Sequence, residues 1–375
     1  KKVEEKGFLF HTLEDTPYWD ETACYEFSAK QVEILETATN ELHKMCTAAA
    51  DHVIQNNLFY LFGIPEHVIP LIKEAWDKSD DSFWSMYGRF DFAYDGINPP
   101  KMLEFNADTP TSLFEASVIQ YYWLQDFNAK FDQFNSIDEK LLETWKWIHE
   151  RYNSSLYHFA CIKNASEGIH PNQLKEDITT TAYVVDVASR VSGLKYNFMD
   201  ISDIGWDGNQ FVDEEGNKIE TMFKLYPWEW MANEEYGERL PESSVNWIEP
   251  IWKMIWSNKA ILPILWELFP NSEYLLPAYF EPRGENYVKK PKLSREGANV
   301  SIIKEGIPIA ATHDDGYGEE GYIYQDIATI PCIDGNYPII GSWVIGGESA
   351  GIGIRETTSM ITDNQSRFIP HYFVN

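Results

Sequence analysis

Two runs of alternating residues, Tyr87-Gly88-Arg89-Phe90-Asp91-Phe92 and Lys101-Met102-Leu103-Glu104-Phe105-Asn106-Ala107-Asp108, flank the turn-rich Asp95-Gly96-Ile97-Asn98-Pro99-Pro100. Period-two alternation interrupted by Gly, Asn and Pro reads as a strand, a turn and a returning strand. Successive strand side chains point to opposite faces, so Arg89 and Asp91 share one face while Phe90 and Phe92 share the other. Glu104 and Asn106 separate in the same way from Leu103 and Phe105. With both arms folded about their common midpoint, Asp91 faces Glu104 and Arg89 faces Asn106. Facing carboxylates destabilise a strand pair unless a cation sits between them, and three oxygen-bearing side chains on one face are the ligands Mg2+ prefers. A solvated outer face is the ordinary fate of such charges. The apolar load of Phe90, Phe92, Tyr94, Leu103 and Phe105 argues instead for a hairpin inside a core, where an unpaired carboxylate is costly. The hairpin is therefore read as a metal site formed by Asp91, Glu104 and Asn106.

A chain of 375 residues exceeds one simple core, so two lobes, or one core with an inserted lid, are expected. Its 30 Lys and Arg against 59 Asp and Glu leave a net charge of -29, which repels nucleic acid and anionic membranes and favours cationic partners such as amines. Aromatic residues make up 15%, with 14 Trp, which suits a large core and equally a sugar-stacking surface. Cys24, Cys46, Cys161 and Cys332 lie far apart with no Cys-x-x-Cys, so neither a zinc knuckle nor a disulfide framework is indicated. There is no apolar run of about 18 residues and no signal-type segment after the charged Lys1-Lys2-Val3-Glu4-Glu5-Lys6, so a cytoplasmic location is expected.

Ser28 with Gln31 forms a capping box, and the apolar residues that follow recur at helical spacing, predicting a long amphipathic helix over 29–56 and a second over 65–78. Thr109-Pro110 reads as a cap with proline at the first helical position, opening a helix that runs to about residue 131. That helix would bring its positive end next to the metal site. Ser136 and Glu139 cap a helix to about Tyr152, after which 156–162, 172–192 and 195–199 read as a βαβ unit. A strand over 219–226 and a helix over 257–269, containing Lys259 despite Pro263, follow, and beyond 280 the pattern changes to short strands and glycine turns.

From Lys289 to Arg295 four basic residues occur without an acid, and the segment runs into Glu296-Gly297-Ala298-Asn299. The glycine marks a turn between two strands whose backbone N–H groups could cradle a phosphate, although the same residues also suit a solvated charged loop. No Gly-x-x-x-x-Gly-Lys-[Ser/Thr] and no strand-linked Gly-x-Gly-x-x-Gly is present. Near the C-terminus, 342–345 and 350–355 flank Gly346-Gly347-Glu348-Ser349 as a hairpin, and Arg355 closes an otherwise uncharged strand. A buried-strand Arg must meet a carboxylate or a phosphate.

Five motifs in order, Gly-Arg-Phe-Asp-Phe, the 103–116 segment from Leu103 to Ala116, Asn-Lys-Ala-Ile-Leu-Pro-Ile-Leu-Trp (258–266), Ser-Arg-Glu-Gly-Ala-Asn-Val (294–300) and Gly-Ile-Gly-Ile-Arg-Glu (351–356), resemble the synthetase domain of the glutathionylspermidine synthetases and their stand-alone acid–amine ligase relatives. The resemblance implies an α/β (α+β) fold, ATP-grasp-like with permuted motif order, plus a pre-ATP-grasp portion. It divides the chain into a core with the metal hairpin (1–255), a lid lobe (256–330) and C-terminal strands returning to the core (331–375). It implies ATP and Mg2+ as cofactors, with Asp91, Glu104 and Asn106 on Mg2+, and with Arg89 and Arg355 at the transferring phosphoryl group. Lys259 and Lys290 would hold ATP phosphates, and Glu296-Gly297 and Gln325-Asp326-Ile327-Ala328 would line the nucleotide cleft. Arg89 and Thr109 would meet the acyl substrate. The implied activity joins a glutathione- or peptide-like acid to a polyamine-like amine through an acyl phosphate, under a lid over 284–321. Two departures stand out. The bifunctional relatives carry an amidase portion that this sequence is expected to lack, and Thr109-Pro110-Thr111-Ser112-Leu113 replaces a loop containing Ser and Cys. Composition alone would also permit a carboxylate-pair glycoside hydrolase or an idle nucleotide-binding protein, but the hydrolase reading leaves the basic island unexplained.

Overall fold

The computed structural model describes residues 2–13, 16–79, 85–164, 171–295, 297–313, 316–362 and 366–374. The strand pair read from the alternation is present, Tyr87–Ala93 against Lys101–Asn106, and its register sets Asp91 opposite Glu104 and Arg89 opposite Asn106. A bulge after Asp91 shifts the pairing so that Phe92 meets Met102. Tyr87–Ala93 is buried along its length and is the fourth strand of an antiparallel sheet ordered Arg367–Ile369, Glu348–Thr357, Tyr337–Ile345, Tyr87–Ala93, Lys101–Asn106. Both faces of this central sheet are covered, as a buried sheet requires. Phe90, Phe92, Ile340, Val344 and Ile354 join one core with Leu35, Leu42 and Val53. Tyr87, Trp343 and Phe368 join a second with Phe159 and Phe223.

The long helix is Ala29–Gln55, and its capping box is complete: Ser28 accepts from the Gln31 N–H and the Gln31 side chain accepts from the Ser28 N–H. The predicted βαβ unit is a parallel pair, Tyr157–Cys161 with Tyr196–Asp200, linked by the Pro171–Ser189 helix. With Thr221–Leu225 and Asn246–Ile248 it makes a four-stranded parallel sheet ordered Asn246–Ile248, Thr221–Leu225, Tyr157–Cys161, Tyr196–Asp200. A third, antiparallel sheet is ordered Ala278–Tyr279, Tyr322–Gln325, Tyr287–Pro291, Ser301–Lys304, Ile307–Ala311. The architecture is mixed α/β. Among the described residues no helix is long and apolar enough to cross a membrane, and the four cysteines are unpaired.

Four local expectations are corrected. The helix placed at Thr109-Pro110 begins only at Leu113, passes through a π-helical turn Glu115–Ile119 and continues as Gln120–Asn128. Residues 107–112 are irregular because Ser112 holds a left-handed φ of 66° and its N–H is taken by Glu176, so no helix end stands directly beyond Asn106. Lys259 lies in a turn ahead of the Ile261–Leu268 helix, which places Pro263 in the first helical turn, where a missing N–H costs nothing. Ser136 precedes the Ile137–Tyr152 helix without capping it, since its hydroxyl donates to the Ala350 carbonyl at 3.0 Å. The C-terminal strand runs past Arg355 through Glu356 to Thr357, and its hairpin turn is Gly346-Gly347.

Candidate active site

The polar face of the hairpin is the floor of a cleft between the central and third sheets. Arg89 and Asp91, two residues apart on one strand face, form a forked pair: Nε donates to Oδ1 at 2.6 Å and Nη2 to Oδ2 at 3.0 Å. Arg355, two strands away, donates to the same Oδ2 at 2.9 Å. Gly341 on the strand between leaves room for this arrangement. A Cβ there would lie 2.7 Å from Arg89 Cδ. Arg89 spends its remaining nitrogen on the Thr111 carbonyl, 2.5 Å away.

Glu104 sits across from Asp91 and is met by Lys259 at 3.1 Å. Burial by itself would raise the Glu104 carboxyl, but Lys259 and Lys290 outweigh it and hold the group at about 2. Lys290, on the Tyr287–Pro291 strand, donates to the Leu103 carbonyl at 2.9 Å and to Gln325 Oε1 at 2.7 Å. Gln325 in turn donates to the Met102 carbonyl at 3.2 Å, so both side chains tie the third sheet to the metal-type strand. Burial lowers the Lys290 ammonium to about 8, opposed by Glu104 and assisted by Lys259.

Among the described residues no three or more His, Cys, Asp and Glu side chains group as metal ligands. Asp91, Glu104 and Asn106 still converge, because the Asn106 amide nitrogen lies 3.3 Å from an oxygen of each carboxylate. It occupies the place between the carboxylates, and turned over about its last torsion the amide presents an oxygen there. Two carboxylates and an amide oxygen fit Mg2+.

Every described residue given a site role from the family resemblance lines this one cleft, Arg89, Asp91, Glu104, Asn106, Thr109, Lys259, Lys290, Gly297, Gln325, Asp326, Ile327, Ala328 and Arg355, whereas Lys289 and Lys292 of the basic island do not. Glu296 lies outside the described residues. Gly297 holds a φ of 72°, and a Cβ on it would meet the Thr362 carbonyl oxygen at 2.2 Å, so both torsion and space require glycine. Next to it Val288, Val300, Ile302, Ile327, Met360 and Ile361 form a small apolar wall of their own, which sequence reasoning did not anticipate.

Three further features were missed. Asp108 lines the cleft but is not free, since Lys224 donates to one of its oxygens at 2.9 Å and the Trp228 N–H to the other at 2.8 Å. The lone lysine in Thr-Met-Phe-Lys-Leu was the visible signal. Arg295 donates to the Thr109 hydroxyl and lies 5.2 Å from the centre of the Trp230 ring. The cleft is also lined by the acids Asp177 and Glu229, and burial, with Asp108 adding to it, raises the Glu229 carboxyl.

A family model described as "Glutathionylspermidine synthase preATP-grasp" matches residues 1–374. A Haemophilus influenzae protein named "Putative acid--amine ligase" is 39% identical, the match covering 98% of this chain and 95% of that one. The bifunctional glutathionylspermidine synthetase/amidase of Escherichia coli is 28% identical over 92% of this chain, and the trypanothione synthetase of Crithidia fasciculata is 29% identical over 88%. The match takes in only 58% and 53% of those two longer proteins.

Proposed function

The chain belongs to the glutathionylspermidine synthase pre-ATP-grasp family, and from that premise we propose that it is an ATP- and Mg2+-dependent carboxylate–amine ligase of permuted ATP-grasp architecture. One observation carries the reading. In a chain of net charge -29, four cations, Arg89, Arg355, Lys259 and Lys290, gather around the carboxylates of Asp91 and Glu104, in a cleft that also has an apolar wall. That excess of positive charge, further increased by a divalent cation, is balanced by a triphosphate.

In this reading 1–255 is the core, 256–330 the lid lobe whose sheet roofs the cleft, and 331–375 the strands that return beside the hairpin. The metal residues precede the lysines along the chain, which is the permuted order. Asp91, Glu104 and Asn106 hold Mg2+, and the ion when bound would neutralise charge on the outer phosphates. Lys259 and Lys290 exchange Glu104 and Gln325 for phosphate oxygens. Gly297 with Glu296, and the segment Gln325-Asp326-Ile327-Ala328, line the nucleotide. Thr109 meets the acid, and Arg89 and Arg355 face the γ-phosphoryl group.

A substrate carboxylate oxygen attacks the γ-phosphorus and ADP leaves, giving an acyl phosphate. The guanidinium groups of Arg89 and Arg355 bind the equatorial charge as it develops. The amine nitrogen then attacks the acyl carbon, phosphate departs and the nitrogen gives up a proton, leaving an amide. Acyl phosphates hydrolyse readily, so the 284–321 region, which includes the Tyr287–Pro291, Ser301–Lys304 and Ile307–Ala311 strands of the third sheet, serves to exclude water. The acids Asp177 and Glu229 in the same cleft favour a cationic, polyamine-like acceptor, and a glutathione- or peptide-like acid is the proposed donor. The carboxylate-pair hydrolase reading gives no task to the four cations gathered on Asp91 and Glu104.

The test is ADP release from Mg-ATP across a panel of peptides and polyamines. Asp91→Ala and Glu104→Ala should each abolish it with circular dichroism unchanged, and EDTA should do the same to the wild type. Near-normal turnover in both variants would remove the metal assignment.

A further inference from the structure

Glu115 is fully buried, its Oε2 has no hydrogen-bond partner among the described residues, and the mechanism above gives it no task. Its place in the sequence suggests a helix cap, because Ser112-Leu113-Phe114-Glu115 has capping-box spacing. The structure uses the residues otherwise. The Ser112 N–H, which such a Glu would normally accept from, is taken by Glu176 at 3.2 Å. Ser112 holds a φ of 66° and meets the Tyr18 hydroxyl at 3.1 Å, while that hydroxyl donates to Glu115 Oε1 at 2.7 Å. Glu115 itself stands in the π-helical turn Glu115–Ile119, a local irregularity that often accompanies functional sites.

Resting on the ligase reading, we propose that Glu115 and Tyr18 are positioning residues for Arg89, acting through the backbone at Thr111 and Ser112. Burying a carboxyl group and holding a non-glycine residue in the left-handed region are both costly, and no helix cap is gained in return. What the two together secure is the direction of the Thr111 carbonyl, which receives Arg89 Nη1 at 2.5 Å. The other two donors of Arg89 in use go to Asp91. Asp91 is the group that must be shared when a cation enters, so the Thr111 carbonyl is the anchor that stays with Arg89 through that exchange. The groups facing Glu115 are Tyr18 from the N-terminal segment, Arg89 and Arg355 from the central sheet and, across Ser112, Glu176. Burial pushes the Glu115 carboxyl up to about 7, against the Tyr18 hydrogen bond and the two arginines. The ionised form is the stronger acceptor for Tyr18, so the anchor tightens as pH rises through that value.

The experiment measures ADP release from Mg-ATP by the full chain between pH 5.5 and 9, with the acid–amine pair that the wild type turns over best. Tyr18→Phe and Glu115→Gln should lower kcat roughly tenfold with little change in KM for ATP, since the lysines that hold the phosphates are untouched. The wild-type rate should fall on the acid side of a limb near pH 7, and that limb should vanish in Glu115→Gln. Should Glu115→Gln fail to fold, Tyr18→Phe, which deletes one oxygen, carries the test alone. Unchanged kcat in folded variants overturns the positioning role and leaves the ligase reading standing. A wild type that releases no ADP under any condition overturns both.

Discussion

Lys290 has no exposed ammonium to offer in the ordinary sense: it is buried, charged below about pH 8, and already donates to Leu103 and Gln325. A lysine whose value is lowered this far loses its charge within a range an assay can reach. If it holds a phosphate, the affinity for Mg-ATP should weaken as pH rises from 7 to 9.5, and Lys290→Met should be weak at both ends. Calorimetry across that range measures it, and a wild-type affinity that stays flat contradicts the role. At this scale the sequence told which residue types mattered but not what each one touched. Lys290 was legible as a member of a basic island. Its carbonyl and amide partners were not, because Gln325 comes from a strand more than thirty residues later in the same sheet and Leu103 from the central sheet packed against it.

The hairpin was the most legible element, and for a mechanical reason. Strand alternation has a strict period of two, and the turn between 95 and 100 lets little slippage in before a carboxylate would be moved to the apolar face. The helix at Leu113 was read three residues early, because Thr-Pro is a strong local start signal and the tertiary partners of Thr109, Thr111 and Ser112 lie far along the chain. The sheet also imposes a demand that a single strand does not reveal. Gly341 lies across from Asp91, where its missing side chain accommodates the Arg89 stem. Gly341→Ala should force Arg89 off Asp91, costing about 1–3 kcal/mol by overpacking. It should also reduce ADP release more than any loss of stability explains. Chemical denaturation together with turnover at a temperature well below the transition separates the two effects. A variant as active as wild type would show that the arginine fork is not needed.

Over the whole molecule, buried imidazoles oppose acid: His43, His158 and His371 are all lowered by burial, His43 and His371 furthest. Burial lowers His43 to about 4, with Lys253 adding to the effect, and lowers His371 to about 3. In the unfolded chain both bind protons near 6.5, so below that value the unfolded state takes up more protons and stability is lost as pH falls toward those native values. The melting temperature should therefore decline from pH 6.5 to 4, and a flat profile over that interval would show that these histidines are not held neutral. The periodicities of this chain, two in the hairpin and 3.6 in the Ala29–Gln55 helix, were determined by the sequence alone, since side-chain direction along one element depends only on local backbone geometry. Which cations would stand over Asp91 and Glu104 was decided only by the tertiary structure. Lys259, Lys290 and Arg355 come from distant segments, and their arrival at one cleft follows from the way the central and third sheets pack together, a packing solution that no local pattern encodes.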